Sequence, residues 1–224
     1  MLIFTSFALL STAKTIEYKI QGNVKDMTHA RFAYLSTLSQ NRTISSSKIF
    51  MVEPIINGKF SFNGSFDLED KDFQDACVFI DERGNISKEE LTSKFEQLIW
   101  VTGRDNNLRS IILEDLKLDI EDLNKVKISK VVSEGLLTKQ SDEASKAVRA
   151  KNRKLLEFVK KHPDSPISFR EVGEVTSLFE LSRKERYESL WGSPIELYAV
   201  LSKRLQNSKR GIALKKEIYD KYNP

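Results

Sequence analysis

Polar and apolar side chains alternate over short runs through the first 135 residues. The first run extends from Thr15 to Ile20 and stops at Gln21-Gly22, as a strand with one buried face stops at a turn. Short strands divided by turn residues are typical of an antiparallel β-sandwich. The same pattern predicts further strands at 32–35, 49–56, 59–62, 76–80, 97–101, 108–113 and 125–129, and a short helix at 88–95.

The dipeptide Asn57-Gly58 predicts a hairpin with a type I′ turn, because both central residues of that turn need a positive φ. Phe60 and Phe62 lie two positions apart, so they share one face of the strand and are expected to enter the core. Asn63-Gly64 is predicted to end this strand. Pro54 has no N–H to donate, so the hairpin is expected to contain a sheet edge or a bulge.

After residue 140 the apolar side chains recur with helical spacing. Val148, Leu155, Phe158 and Val159 are predicted to form one helix face, and Gly192 is predicted to separate two helices. The predicted helices are 142–161, 166–179, 183–190, 194–206 and 209–222. Their start signals are Ser141 before two acids, Ser165 before Pro166, and the capping-box patterns Ser182-x-x-Glu185 and Ser193-Pro194-x-Glu196.

The two patterns together predict an α+β protein. An N-terminal antiparallel β-sandwich, residues 14–135, is followed by a C-terminal α-helical, connector-like region, residues 136–224. Charge divides in a similar way, because residues 15–140 contain 17 basic and 20 acidic side chains, whereas residues 141–224 contain 18 basic and 12 acidic ones. The helical region is therefore the basic part of the chain.

Composition excludes several classes of function. The chain has 224 residues and a single Cys, which excludes a disulfide scaffold and a multi-cysteine metal site. Its 2 His and 9 Gly leave little material for a His-based metal site or a phosphate-binding loop. We therefore assign no catalytic, cofactor-binding or metal-binding residues, and we expect a protein without enzymatic activity.

Residues 2–10, Leu-Ile-Phe-Thr-Ser-Phe-Ala-Leu-Leu, form an apolar run without charge, followed by Ser11-Thr12-Ala13. The run is shorter than the roughly 20 residues that a membrane helix needs, so no membrane span is expected. Small residues at 11 and 13 match a signal peptidase site, and residues 1–13 are predicted to be a signal peptide. We expect the protein in the periplasm or cell envelope. The alternative interpretation of the apolar run is a buried N-terminal strand or helical turn in place of a signal peptide.

Four stretches occur in an order and spacing known from one protein family. They are Tyr-Lys-Ile-Gln-Gly at 18–22, Asn-Gly-Lys-Phe-Ser-Phe-Asn-Gly at 57–64, His-Pro-Asp-Ser-Pro-Ile-Ser at 162–168, and Leu-x-Asn-Ser-x-x-Gly at 205–211. Together they resemble the N-terminal region of exported thiol-disulfide oxidoreductases of Bacteroidota. In that family a domain of unknown function and a helical connector precede a thioredoxin-like domain.

In that family a Cys-x-x-Cys motif of the thioredoxin-like domain carries the chemistry, and this sequence contains no such motif. The resemblance therefore implies a module that accompanies redox enzymes, not redox catalysis. Our hypothesis is a non-enzymatic exported envelope protein, an interaction or accessory module. Its partner would be a thioredoxin-like oxidoreductase or another envelope protein, not nucleic acid. Its contacts would come from the sandwich face and from the segment that starts at Pro163-Asp164-Ser165.

Two alternatives remain open at this point. In the first, the chain is a truncated or split thiol-disulfide oxidoreductase, whose catalytic thioredoxin-like domain is missing or separately encoded. Or it is a hydrolase or lectin-like sugar binder built on the sandwich, for which an exposed Trp100 or Trp191 would be the first sign, because sugars stack on aromatic faces.

We interpret the cysteine and the two histidines, whose side chains could be reactive, as residues with structural roles. Cys77 is flanked by apolar residues and has no resolving partner, so we interpret it as a small core residue, with a reactive thiol as the alternative. His29 and His162 are interpreted as structural, the latter because a helix C-terminus favours a positive charge. The acidic clusters at 67–72 and 114–122 are interpreted as solvated loops, and the basic stretches at 146–161 and 203–216 as solvated faces.

Overall fold

The computed structural model describes residues 14–25, 32–37, 47–81, 86–90 and 108–222. The chain divides into two compact units between Gly135 and Leu136. Within the described residues, the first unit contains all the strands, and the second contains helices and no strand. The predicted α+β class, with the helices mostly C-terminal, is therefore confirmed.

The strands of the first unit are β1 Thr15–Val24, β2 Phe32–Thr37, β3 Phe50–Pro54, β4 Lys59–Asp67, β5 Asp75–Asp81, β6 Leu108–Ile112, β7 Leu116–Ile120 and β8 Lys130–Glu134. They form two four-stranded sheets, with strand orders β4-β1-β7-β8 and β3-β2-β5-β6. The first sheet is not wholly antiparallel, because β1 and β7 run parallel, with Ile20 beside Leu116 and Val24 beside Ile120. The all-antiparallel prediction is wrong at this pair. A parallel pair needs a long crossover, and the strands of the second sheet lie between β1 and β7 in sequence.

One apolar core contains side chains of both sheets. Ile20 and Phe62 from the first sheet belong to the same cluster as Leu35 and Val78 from the second, and all four are fully buried. Phe60 is also buried, and its ring centroid lies 5.5 Å from that of Phe62. The prediction that these two phenylalanines enter the core is confirmed.

Asn57 and Gly58 form the predicted tight turn, with φ of 51° and 74°. Ile56 and Lys59 close it with two backbone hydrogen bonds of 2.9 and 3.0 Å. The predicted hairpin is nevertheless wrong, because β3 pairs in one sheet and β4 in the other, so the chain changes sheets at this turn. Pro54 lies on an edge strand, as its missing N–H predicts.

The strand that follows this turn does not end at Asn63-Gly64, but continues to Asp67. Gly64 lies opposite Tyr18 in the β1–β4 pair, and a Cβ at Gly64 would lie 2.6 Å from the Tyr18 hydroxyl oxygen. The glycine is needed for the close approach of a side chain, not for a turn. The same reason applies to Gly22, whose Cβ would lie 2.0 Å from the Phe60 ring.

The strand predicted at 125–129 is wrong, because Leu123–Ile128 is a 3-10 helix. The Asp122 carboxylate caps it by accepting a 2.8 Å hydrogen bond from the Asn124 N–H. Val126 is buried but Ile128 is 70% exposed, so the apolar alternation does not correspond to one buried face.

The sequence pattern did not predict strands β7 and β8. The predicted strand 97–101 lies outside the described residues, and of the predicted helix 88–95 only residues 88–90 are described, as helix.

The helices of the second unit are α1 Leu136–Ala150, α2 Lys154–Lys161, α3 Pro166–Leu178, α4 Lys184–Trp191, α5 Pro194–Ala199, α6 Lys203–Gln206 and α7 Lys209–Tyr222, with a 3-10 turn at Leu181–Arg183. The helix predicted at 142–161 begins earlier and is broken. Lys151, Asn152 and Arg153 have φ of 58°, 47° and 60°, a left-handed conformation that ends α1 and starts α2 in a new direction.

This break depends on contacts that are distant in sequence. The Arg153 N–H donates to the Leu190 carbonyl at 2.9 Å, and the Arg153 guanidinium lies 2.7 Å from a Glu196 carboxylate oxygen. The helix predicted at 194–206 is also divided, because the Ser202 hydroxyl starts a new helix by accepting from the Leu205 N–H at 3.3 Å. The predicted helices at 166–179, 183–190 and 209–222 are confirmed to within one residue.

Two of the four predicted helix starts are confirmed. Ser165 caps α3, which has proline at its first position, and Ser193 and Glu196 form a complete capping box at α5. Ser182 caps no helix, because α4 begins after Arg183 without a side-chain cap. Ser141 lies inside α1. Gly192 separates α4 and α5 as predicted, with φ of 97°.

Candidate functional site

The turn between α2 and α3, residues 162–165, is bonded to several helices of the second unit and is the candidate site. His162 ends α2, where its N–H donates to the Phe158 carbonyl at 3.0 Å. Ser165 begins α3, where its hydroxyl oxygen accepts from the Ile167 N–H at 3.1 Å. The rings of Phe158 and His162 lie 5.0 Å apart.

A chain of side-chain hydrogen bonds connects this turn to α1. The Ser165 hydroxyl donates to the Gln140 carbonyl oxygen at 2.5 Å, so the Gln140 amide nitrogen faces His162 Nδ1, 3.4 Å away. The amide nitrogen can only donate, so Nδ1 is the acceptor in this hydrogen bond and Nε2 carries the ring proton. Nε2 then donates to the Glu143 carboxylate at 3.0 Å.

These residue types occur in hydrolase triads, but their connections here differ. The Ser165 hydrogen is donated to Gln140, and the nearest partners of the His162 ring are Gln140 and Glu143. Nucleophilic catalysis requires the histidine to accept the serine proton directly. The arrangement orients the turn and holds it on α1. His162 lies at the end of a helix, as predicted, and His29 lies outside the described residues.

Glu143 is also bound by Lys161, whose Nζ lies 2.8 Å from its carboxylate. The hydrogen bond from Lys161, followed by that from His162, lowers the pKa of Glu143 below its ordinary value, against the opposing effect of partial burial. The carboxylate is therefore held in its ionised form, which is the form that accepts both hydrogen bonds.

Asp164 connects the same turn to α6. Arg204 Nε lies 2.9 and 3.0 Å from the two Asp164 carboxylate oxygens, and its Nη2 donates to the Asp164 carbonyl at 2.9 Å. The Ser202 hydroxyl donates to the carboxylate, and the Ser202 N–H donates to the Pro163 carbonyl at 2.8 Å. The hydrogen bonds from Ser202 and Arg204 lower the pKa of Asp164. The turn is thus bonded on both sides and presents a defined surface.

Cys77, the one cysteine of the chain, is fully buried in β5. It belongs to a small cluster with Tyr34, Phe79 and Ile86, in which the Tyr34 and Phe79 rings stack at 4.7 Å. A thiol in this position is out of contact with solvent and packs as a small apolar side chain.

The two acidic clusters have different structures. At 67–72 the Asp67 carboxylate accepts from the Glu69 N–H at 2.8 Å, and Lys48 binds Glu69 at 2.6 Å. The interpretation of 114–122 as a loop is wrong, because β7 runs through its centre. There Asp119 is bound by Lys25 at 3.0 Å and by Asn23 at 2.9 Å, which lower its pKa. In the part of the chain that the structure describes, no group of three or more His, Cys, Asp or Glu could hold a metal ion.

Trp191 is the last residue of α4, in the helical unit, and does not lie in a strand. Its indole N–H donates to the Val148 carbonyl at 3.1 Å, and its ring lies 5.4 Å from that of Tyr187. Tyr187 in turn contacts Phe179, which stacks on Tyr222 at 4.8 Å. Burial, followed by the hydrogen bond to Glu188, raises the pKa of Tyr222 to about 12. Trp100 lies outside the described residues.

The sequence patterns did not identify two features of the helical unit. Gln140 and Glu143 complete the bonds around the 162–165 turn, but their spacing in sequence carries no recognisable motif. Ile212 and Tyr219 are exposed on α7, at 61% and 50%. Their separation by seven residues, on a helix whose buried side is already occupied, is the signal that points to a second face.

Comparison of the chain with protein-family models, with curated proteins and with solved structures finds no match. A search of the described residues for a helix both long and apolar enough to span a bilayer also finds none.

Proposed function

We propose that this protein is a non-enzymatic interaction or accessory module of the cell envelope. We further propose that its two sheets form a sandwich and that it accompanies a thiol-disulfide oxidoreductase with a thioredoxin-like domain. The proposal rests on the likeness to the N-terminal region of such enzymes. Its partner would be a thioredoxin-like protein or another envelope protein.

One observation carries the proposal: the stretches at 18–22 and 57–64 pair with each other, and the stretch at 162–168 binds Arg204, the residue directly before the stretch at 205–211. The stretch at 18–22 lies in β1, where Ile20 pairs with Phe62 of the stretch at 57–64. Gly22 and Gly64, one in each stretch, are the two places where a Cβ would collide with an aromatic side chain of the other stretch. Side chains that depend on each other across two strands are expected to be retained together in related folds.

The other two stretches lie close in the helical unit. The stretch at 162–168 is bonded through Asp164 to Arg204, which directly precedes the stretch at 205–211. Within that stretch a Cβ on Gly211 would lie 2.0 Å from the Leu205 carbonyl oxygen, so the glycine permits the sharp entry into α7. The likeness therefore coincides with positions that the fold constrains, in both units.

The proposal is tested by capture with the purified, folded protein. It is immobilised and exposed to an envelope extract, and the bound proteins are identified by mass spectrometry. We expect a thioredoxin-like protein with a Cys-x-x-Cys motif, and we expect Asp164→Lys to weaken its retention at least fivefold. Glu174→Lys, an equal charge change on an exposed carboxylate of α3, is the matched control.

Two results discriminate among the hypotheses. Retention of no thioredoxin-like protein, by a protein shown by circular dichroism to be folded, would contradict the proposed partner. A Cys-x-x-Cys reading frame in the DNA that follows the Pro224 codon would favour the split or truncated oxidoreductase instead.

A further inference from the structure

The outward face of α7 combines apolar and basic side chains. Leu214 and Ile218 hold the opposite side of this helix in the core of the helical unit. Ile212 and Tyr219 are exposed and lie two turns apart, roughly 10 Å along the helix axis. Helical spacing places Lys209, Lys215 and Lys216 beside them. We name these five residues the basic stripe: Lys209, Ile212, Lys215, Lys216 and Tyr219.

The lysines of the basic stripe make no ion pairs within the described part of the chain. No carboxylate there forms an ion pair with Lys209, Lys215 or Lys216. Lys215 Nζ instead lies 5.9 Å from the centroid of the Tyr219 ring. Many other basic side chains of this unit are paired, among them Arg153 with Glu196, Lys161 with Glu143 and Arg204 with Asp164. The stripe therefore carries three unpaired ammonium groups around two exposed apolar side chains, and helical spacing places one exposed carboxylate, that of Asp220, beside Lys216.

We propose that the basic stripe is a contact site for the anionic headgroups of a phospholipid surface. Lysine is depleted at protein interfaces, where arginine provides most of the positive contacts, and all three cations of the stripe are lysines. Their flexible ammonium groups suit a fluid layer of phosphates, which requires no fixed geometry. This inference goes beyond the proposed protein partner and does not depend on it.

The geometry allows α7 to lie flat on such a surface. Ile212 and Tyr219 are aligned along the helix, so both side chains can enter the headgroup layer together, and tyrosine favours that layer. The lysines on each side of this line can then reach phosphates. Each lysine close to an anionic surface contributes roughly fivefold to the partition coefficient.

The test uses the full chain and vesicles of defined lipids. Binding is measured by co-sedimentation with vesicles of 30% phosphatidylglycerol in phosphatidylcholine, and with pure phosphatidylcholine vesicles, at 0.1 M salt. We expect binding to the anionic vesicles only, with release as salt is raised. Lys215→Gln/Lys216→Gln should lower the partition coefficient about 25-fold.

The matched control is Lys139→Gln/Lys160→Gln, which removes the same charge from exposed, unpaired lysines of α1 and α2. It should change the partition coefficient less than threefold. Equal losses in the two double variants would overturn the assignment to α7, because they would reflect only the net charge of the chain.

A second variant tests the apolar part and does not change charge. Ile212→Ser/Tyr219→Ser should lower the partition coefficient several-fold, while circular dichroism shows an unchanged fold. The proposal is overturned if the wild-type protein does not bind anionic vesicles. It is also overturned if poly-L-glutamate binds more tightly than the vesicles and loses its binding in the same lysine variant, since the stripe would then recognise an acidic polypeptide.

Discussion

Neighbouring strands of the first unit are joined by backbone hydrogen bonds, whereas neighbouring helices of the second are joined through side chains and turns. Strand β1 is bonded along its length to β4 on one side and, over its second half, to β7 on the other. The interior of a helix satisfies its own backbone, so links to other helices come from side chains such as those of Gln140 and Arg204, or from backbone groups at helix ends such as the Arg153 N–H. The first unit should therefore be most sensitive to side-chain volume, and the second to single polar atoms at helix ends.

The largest loss of stability is expected from a substitution that creates a cavity in the core between the strands of the first unit. Phe62→Ala removes a fully buried ring and should lower the free energy of unfolding of the first unit by about 3–5 kcal/mol. Urea unfolding, followed by hydrogen exchange of the β1 and β4 amides, measures it. Leu178→Ala, at a 60% exposed position of α3, should cost less than about 0.5 kcal/mol. Equal costs would show that the burial of Phe62 does not account for the loss.

A smaller effect is expected where a glycine admits an aromatic ring. Gly22→Ala places a methyl group 2.0 Å from the Phe60 ring and should lower the free energy of unfolding by about 1–3 kcal/mol. Phe60→Leu in the same chain should recover part of this loss, because the smaller side chain leaves room for the methyl group. A double-mutant cycle by urea unfolding gives the coupling, and additive losses would show that the two residues do not collide.

In the helical unit, one lost cap should cost less than one lost core ring. Ser193→Ala removes the hydroxyl that accepts from the Glu196 N–H and should lower the free energy of unfolding by about 1 kcal/mol. Ser182→Ala is the matched control, since Ser182 occupies the same sequence pattern but caps no helix. Thermal unfolding of both variants tests the difference, and a larger loss for Ser182→Ala would contradict the observed helix start.

The smallest loss of stability is expected when the pH is lowered and Glu143 becomes protonated. Because the folded-state pKa of Glu143 lies below its ordinary value of 4.5, its bonds to Lys161 and His162 stabilise the fold above that pH. This contribution is lost as the pH falls from about 4.5 through the folded-state pKa. Glu143 is 40% exposed, so solvent screens the interaction and the contribution should not exceed about 0.5 kcal/mol.

The measurement compares melting temperatures of the wild-type protein and Glu143→Gln from pH 7 to pH 3. The variant should be less stable at pH 7, and the difference should shrink as the pH falls below about 4.5 and the wild-type carboxylate becomes protonated. Other carboxylates with lowered pKa values act in both proteins and cancel in this difference. A difference that is constant with pH would show that Glu143 does not contribute through its charge.

The sequence predicted the local elements better than their neighbours. Asn57-Gly58 was correctly predicted as a tight turn, since a positive φ at both residues is a local requirement. Whether the flanking strands pair was not predictable, because β4 pairs with β1, which lies far away in sequence. Gly64 shows the same limit, since it was interpreted as a turn residue and in fact accommodates Tyr18.

In the candidate site, too, the sequence predicted a bond between near neighbours but not the bonds between distant residues. Ser165 was predicted as a helix cap because its hydroxyl accepts from an N–H only two residues away. Gln140 and Glu143, which bind the 162–165 turn, lie in another helix, α1, so no local pattern indicated their bonds. The exposed face of α7 could have been recognised from its spacing, but only after the structure had shown which side of that helix is buried.

By itself the sequence determined the α+β class, many of the strands and helices, and the caps at Ser165 and Ser193, because periodicity and capping act over a few residues. Tertiary structure decided the change of sheet at Asn57-Gly58, the parallel pairing of β1 with β7 and the left-handed break at 151–153. Each of these depends on hydrogen bonds and close packing between residues far apart in sequence. No local pattern records such partners, because they meet only when the chain has folded.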